Sequence, residues 1–176
     1  MTPILLKSVA ALATVAGLAV NSGDALDASD AYEVRSLTQL TQSDVKTHAM
    51  HVFMRGDTNR DNVLDADEYT SLSVVTAELA HLNGFIVIET GDAYLTAPLP
   101  GVRHSALSKS EQIRIDAVSR KAFYVFAGDD GTMDISEFAD AQVSKFDQAD
   151  IDSNGILAKR ELFSFAQRQA LVALDT

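Results

Sequence analysis

The stretch FDQADIDSNGILAKREL, residues 146–162, decides the fold. With Asp150 as the first position of a tight loop, Asp152 falls third, Asn154 fifth, Gly155 sixth, Ile156 seventh, Leu157 eighth and Glu161 twelfth. Alternate residues of such a loop can converge on one hard cation, and Ca²⁺ takes six to eight oxygens at about 2.3–2.6 Å. Ile156 can be apolar because the seventh position serves through its backbone carbonyl. Gly155 suits a sharp turn that a side chain would resist. Glu161, opening the next helix, can close the site with both carboxylate oxygens, and Ala158 at the ninth position leaves a place for water. Phe146, four residues ahead of the loop, and Leu162, just after it, are spaced to pack the two flanking helices together.

The pattern recurs in FMRGDTNRDNVLDADEY, residues 53–69. Asp57, Asn59, Asp61, Val63 (by its carbonyl), Asp65 and Glu68 take positions one, three, five, seven, nine and twelve, with Leu64 eighth and Phe53 and Tyr69 flanking. The sixth position is Asn62, one of the few residues besides glycine that tolerate a left-handed backbone. A third stretch, FYVFAGDDGTMDISEF (123–138), keeps only the back half. Counted from its end, Glu137 is twelfth, Asp134 ninth, Met133 eighth, Thr132 seventh and Asp130 fifth, which leaves Phe126 and Gly128 where the first and third ligands belong. Counted from Phe123, the loop starts at Ala127 and is one residue short. In both registers Asp129 must compensate. Asp129, Asp130, Thr132, Asp134 and Glu137 therefore form either a weak site or a scaffold loop without an ion.

Residues 57–68 and 150–161 resemble the loops of the EF-hand family, helix–loop–helix calcium proteins. The resemblance implies an all-α fold with hands at about 42–80, 109–142 and 139–172, binding calcium ions as buffer or sensor. Loops of that family usually pair through the residue at the eighth position. By proximity in sequence Met133 is expected to face Leu157, which leaves the loop at 57–68 without an obvious partner. Phe138 to Ala149, the linker between the last two loops, is short for the family and similar to the spacing in lanmodulin-type members, which are exported and bind lanthanides. Those loops carry Pro at the second position, where this chain has Thr58 and Ile151. Calcium is the expected ion and a lanthanide the alternative.

The rest of the chain frames these loops. MTPILLKSVAALATVAGLAV has one early Lys, then an apolar run too short for a permanent bilayer span, then small residues; residues 1–25 read as a secretory signal peptide. A polar, flexible segment is expected over 26–40, and the folded domain over 41–176. Thr41–Asp44 and Ser108–Glu111 have the spacing of capping boxes, opening helices at 42–56 and from 109 to about 125. Residues 84–97, rich in β-branched residues around a TGD turn, read as a small hairpin or the remnant of a hand.

A net charge of −11 and an isoelectric point near 4.6 argue against nucleic acid and anionic membrane as partners. Cysteine is absent, which excludes disulfides and thiol chemistry. No nucleophile triad, phosphate loop or zinc-protease signature is present, so the expectation is a non-enzyme, secreted or periplasmic, with no stable membrane insertion once the leader is removed. The competing reading is a calcium-dependent module for an unidentified protein partner. His48 and His51 share one face of the first helix, but no cysteine or third histidine stands near them in sequence, and they read as solvated.

Overall fold

The computed structural model describes residues 38–170 other than 92 and 103. The expected leader, residues 26–37 and the chain after 170 lie outside them. The described residues are mostly helical, with two small antiparallel sheets. In order they form β1 (Gln39–Thr41), α1 (Gln42–Gly56), α2 (Ala66–Asn83), β2 (Phe85–Glu89), β3 (Tyr94–Pro98), α3 (Lys109–Phe126), α4 (Ile135–Ala149), β4 (Ile156–Ala158) and α5 (Lys159–Gln169). None of these helices is long and apolar enough to cross a membrane.

Four of the five helices begin with a reciprocal capping box: Thr41 with Asp44, Asp65 with Glu68, Ser108 with Glu111 and Asp134 with Glu137. Each box satisfies amide donors that a helix start leaves without a partner inside the helix. α2 ends at Gly84, whose φ of 71° is the left-handed cap that glycine adopts without cost. A Cβ there would meet the His104 ring, which would have to shift. The chain then enters the hairpin, whose strands pair Ile86 with Ala97 and Ile88 with Leu95. All four of these side chains are buried, whereas their neighbours Val87 and Thr96 are exposed, as period-2 alternation requires.

The loops pair differently from the expectation. Leu64 and Met133 form an antiparallel bridge with amide bonds of 2.8 and 2.9 Å in both directions. Leu157 pairs instead with Leu40, through β1 and β4. Helix α4 explains why Met133 and Leu157 do not meet. It links the two loops directly, and its 15 residues rise about 22 Å, so they lie at its opposite ends. The first loop thus has a partner after all. Leu40, expected within a loose lead-in, is fully buried.

The two bridges organise the core. Helix α1 runs from the β1–β4 end to the Leu64–Met133 end, α4 runs back, and the two pack together. At the Leu64–Met133 end, Phe53, Tyr69, Phe123 and Phe138 interlock, with ring centroids 5.9 Å apart for Phe53–Phe138 and 5.6 Å for Tyr69–Phe123. At the other end, Leu40, Val45, Phe146, Leu157 and Phe165 are joined by Ile86, Ile88 and Leu95 of the hairpin. Burying each such side chain contributes about 1.5–3 kcal/mol. The hairpin is therefore part of the core, closing the side of the β1–β4 pair.

Candidate metal centre

Each complete loop draws its acids inward through its own backbone. In the first, Asp57 Oδ1 accepts from Asp61 N–H (3.1 Å) and Oδ2 from Asn62 N–H (3.0 Å), Asn59 Oδ1 accepts from Asp61 N–H (2.9 Å), and Asp61 Oδ1 from Val63 N–H (3.1 Å). Glu68 Oε1 closes the loop, accepting from the Thr58 N–H (2.9 Å) and hydroxyl (2.8 Å). The turn works because Asn62 takes a φ of 67°, the left-handed conformation expected of it.

The second loop repeats these bonds. Asp150 accepts from Asn154 N–H (3.1 Å) and Gly155 N–H (2.9 Å), Asn154 Oδ1 from Ile156 N–H (2.7 Å), and Glu161 Oε1 from Ile151 N–H (3.0 Å). Asp152 Oδ1 accepts from Asn154 N–H at 3.2 Å. Gly155 has φ 78°. Two segments with different side chains at most positions thus share one hydrogen-bonding scheme.

The result is two groups of three carboxylates, Asp57–Asp61–Glu68 and Asp150–Asp152–Glu161, each with oxygens within 4.8 Å of one another. Oxygens on one calcium ion at about 2.3–2.6 Å lie no farther apart than about 5 Å, so the spacing fits. The donor set, carboxylate and amide oxygen with no sulfur or imidazole, is that of a hard cation. Burial pushes the Glu68 carboxyl up, but the Thr58 hydroxyl and the backbone amides of Asp65, Thr58 and Asn59 outweigh it and hold it below its ordinary value. Asp65 stands apart from its trio. Its Oδ1 accepts from the Asp67 and Glu68 amides at 2.8 Å and caps α2.

The third loop settles its register. In the complete loops the first residue donates its N–H to the carbonyl of the Phe four residues earlier, at 2.9 Å for both Asp57 and Asp150. Ala127 makes that bond to Phe123 O, also at 2.9 Å. The loop therefore runs 127–137 and is one residue short, with a buried alanine where the first carboxylate belongs. Asp130 still accepts from Thr132 N–H (3.0 Å), Gly131 still has φ 74°, and Asp134 still caps α4. Asp129, Asp130 and Glu137 form no convergent trio. The back half keeps its turn and its bridge to Leu64.

The two complete loops part at the ninth position in how the next helix is capped. Asp65 caps α2, whereas Ala158 gives α5 no side-chain cap, and Lys159 takes a φ of 47°. Ala158→Asp is expected to stabilise the chain by about 1 kcal/mol through the missing cap. Denaturant unfolding checks this, and an unchanged midpoint would contradict it.

Two features escaped the sequence reading. Leu40, Thr41 and Asp44 carry the same bridging residue, helix cap and acid, at the same spacing, as Leu64, Asp65 and Glu68, so a further segment of the same pattern lay in plain view. The histidine face is also not simply solvated. His48 is half-buried and its Nδ1 accepts the Glu89 N–H (3.1 Å), while His51 Nδ1 lies 3.1 Å from Glu89 Oε2. Arg55 holds the same carboxylate through bonds of 2.9 and 3.3 Å, which commits Glu89 to an ion pair. No sequence signal links α1 to a hairpin residue some forty positions away.

Comparison with known proteins finds no match to this chain: no protein-family model, no curated protein and no solved structure.

Proposed function

We propose that this chain is an exported calcium-binding protein of EF-hand type, with one ion in the loop 57–68 and one in 150–161. The observation that carries the reading is the common bonding scheme that gathers three carboxylates in each loop. Clustered carboxylates repel one another, and a divalent cation converts that repulsion into attraction. Asp57, Asn59, Asp61, Val63 and Glu68 would hold the first ion, with Asp65 acting through water. Asp150, Asp152, Asn154, Ile156 and Glu161 would hold the second. The loop 127–137 serves as the structural partner of the first site through Met133. Export rests on the character of residues 1–25. A lanthanide, equally oxygen-seeking and more highly charged, is the alternative occupant, and competition between Ca²⁺ and La³⁺ ranks the two.

Calorimetry tests the assignment. Glu161→Gln is expected to reduce the tight sites from two to one, and unchanged stoichiometry would sink it.

A groove of about 680 Å³ beside the first loop, lined by Glu68, Asp67, Val75, Leu79 and Val87, favours the interaction module as a second reading. Val75, Leu79 and Val87 are exposed there. A calcium-dependent rise in the fluorescence of an apolar-surface dye is expected for a module, and a flat response for a buffer.

A further inference from the structure

Between α1, α2, α3 and α4, side chains line a partly open cavity of about 110 Å³, with β2 and α5 adding to its rim. Most of its wall is apolar, from Val52, Leu72, Val118 and Phe138 among others. Its polar groups do not match that wall. Lys145 lines it, and the ammonium bonds only neutral amide oxygens, Gln142 Oε1 at 3.2 Å and Gln169 Oε1 at 3.4 Å. Among the described residues no carboxylate pairs with it. Burial draws its pKa down to about 8, so at neutral pH it still carries its charge. Lys145 is half-buried, and a charge drawn partly out of water is costly unless a counter-charge accompanies it.

The neighbouring groups are short of an acceptor too. Ser119 is 3 % exposed, lines the same cavity, and its hydroxyl has no hydrogen-bond partner. Gln142 Oε1 is already shared by Lys145 and Gln169 Nε2, the latter at 2.9 Å. His48 accepts the Glu89 amide on Nδ1, which puts the proton of its neutral ring on Nε2, a further donor on the wall. Positive charge and donors without an acidic partner, in a small and largely apolar space, call for an anionic acceptor with an aliphatic body.

We propose that this cavity binds a small aliphatic carboxylate, its headgroup taken by Lys145 and the Ser119 hydroxyl and its tail lying along Val52, Leu72, Val118 and Phe138. An inorganic anion could satisfy Lys145 but would gain nothing from the apolar wall, and a cation is excluded by the ammonium. Tyr69 and Phe138, which follow Glu68 and Glu137, both line the cavity, so the ligand sits beneath the Leu64–Met133 loop pair.

Titration of the calcium-loaded chain with sodium butyrate, followed by NMR, tests this. Saturable shifts are expected at Ser119, Lys145 and Gln169, absent with butyramide and with sodium chloride at equal ionic strength. Lys145→Met and Ser119→Ala are each expected to weaken binding, the former by roughly tenfold or more, the worth of a charge-assisted bond. Should Lys145→Met fold poorly, Ser119→Ala carries the comparison alone. No saturable shift with butyrate, an equal response to chloride, equal binding of butyramide, or unchanged affinity in both variants would overturn the proposal.

Discussion

Removing calcium from this chain is expected to lower its stability by roughly 5 kcal/mol, compared with free calcium about a hundredfold above the dissociation constants. A ligand that binds only the folded state adds about 2.7 kcal/mol per site at that excess, and two sites are proposed. Ions in these loops would have this leverage because each loop is tied to the core at its eighth position. Leu64 is fully buried on its bridge to Met133, and Leu157 is fully buried against Leu40. Without an ion, Asp57, Asp61 and Glu68 crowd together within 4.8 Å with only neutral hydrogen-bond donors to offset their repulsion, and the second trio does the same. Denaturant unfolding in calcium and in chelator measures the difference. Glu161→Gln is expected to retain about half of it. Identical midpoints in calcium and chelator would contradict the reading.

Acid is expected to destabilise the fold through His48 by an amount on the order of 3 kcal/mol. In an unfolded chain this imidazole takes its proton near pH 6.5, whereas in the fold its pKa is lowered to about 4. Burial is the main cause, followed by the nearby charge of Arg55, with His51 and Lys145 adding to it and Glu89 opposing. Between those values the unfolded chain binds a proton that the folded chain refuses. The contribution is therefore complete above pH 6.5 and is lost as the pH falls toward 4. His48→Gln keeps a side-chain acceptor near the Glu89 amide but cannot titrate. Unfolding from pH 7 to 4.5 in excess calcium, in both proteins, separates this effect from protonation of the acidic loops. A shallower loss in the variant is expected, and equal slopes would count against it.

Much of the architecture was legible because its signals are local. Capping boxes at Thr41 and Ser108 stand at the helix starts they imply, and the β-branched run around the TGD turn marked the hairpin. The convergence of Asp57, Asp61 and Glu68, and of Asp150, Asp152 and Glu161, followed from spacing within twelve residues. Loop pairing was hidden for a physical reason. Leu40, Leu64, Met133 and Leu157 are four apolar residues at equivalent places, and nothing in their chemistry says which two meet. Sequence proximity suggested Met133 with Leu157, and the length of α4 forbids it. The register of the third loop was equally hidden, since both countings left its first position without an acid. A single backbone bond, Ala127 N–H to Phe123 O, decides it. The clamp of Glu89 by Arg55 and the cavity around Lys145 unite distant elements, and such contacts leave no periodic trace.

The central claim, two calcium ions held by two loops with the third loop as scaffold, is tested most directly by counting ions on the intact chain. Native mass spectrometry across graded free calcium is expected to show the chain moving to a state with two ions, and Glu68→Gln with Glu161→Gln to hold none over the same range. A chain that stays without ions, or one that fills three equivalent sites together, would contradict the account.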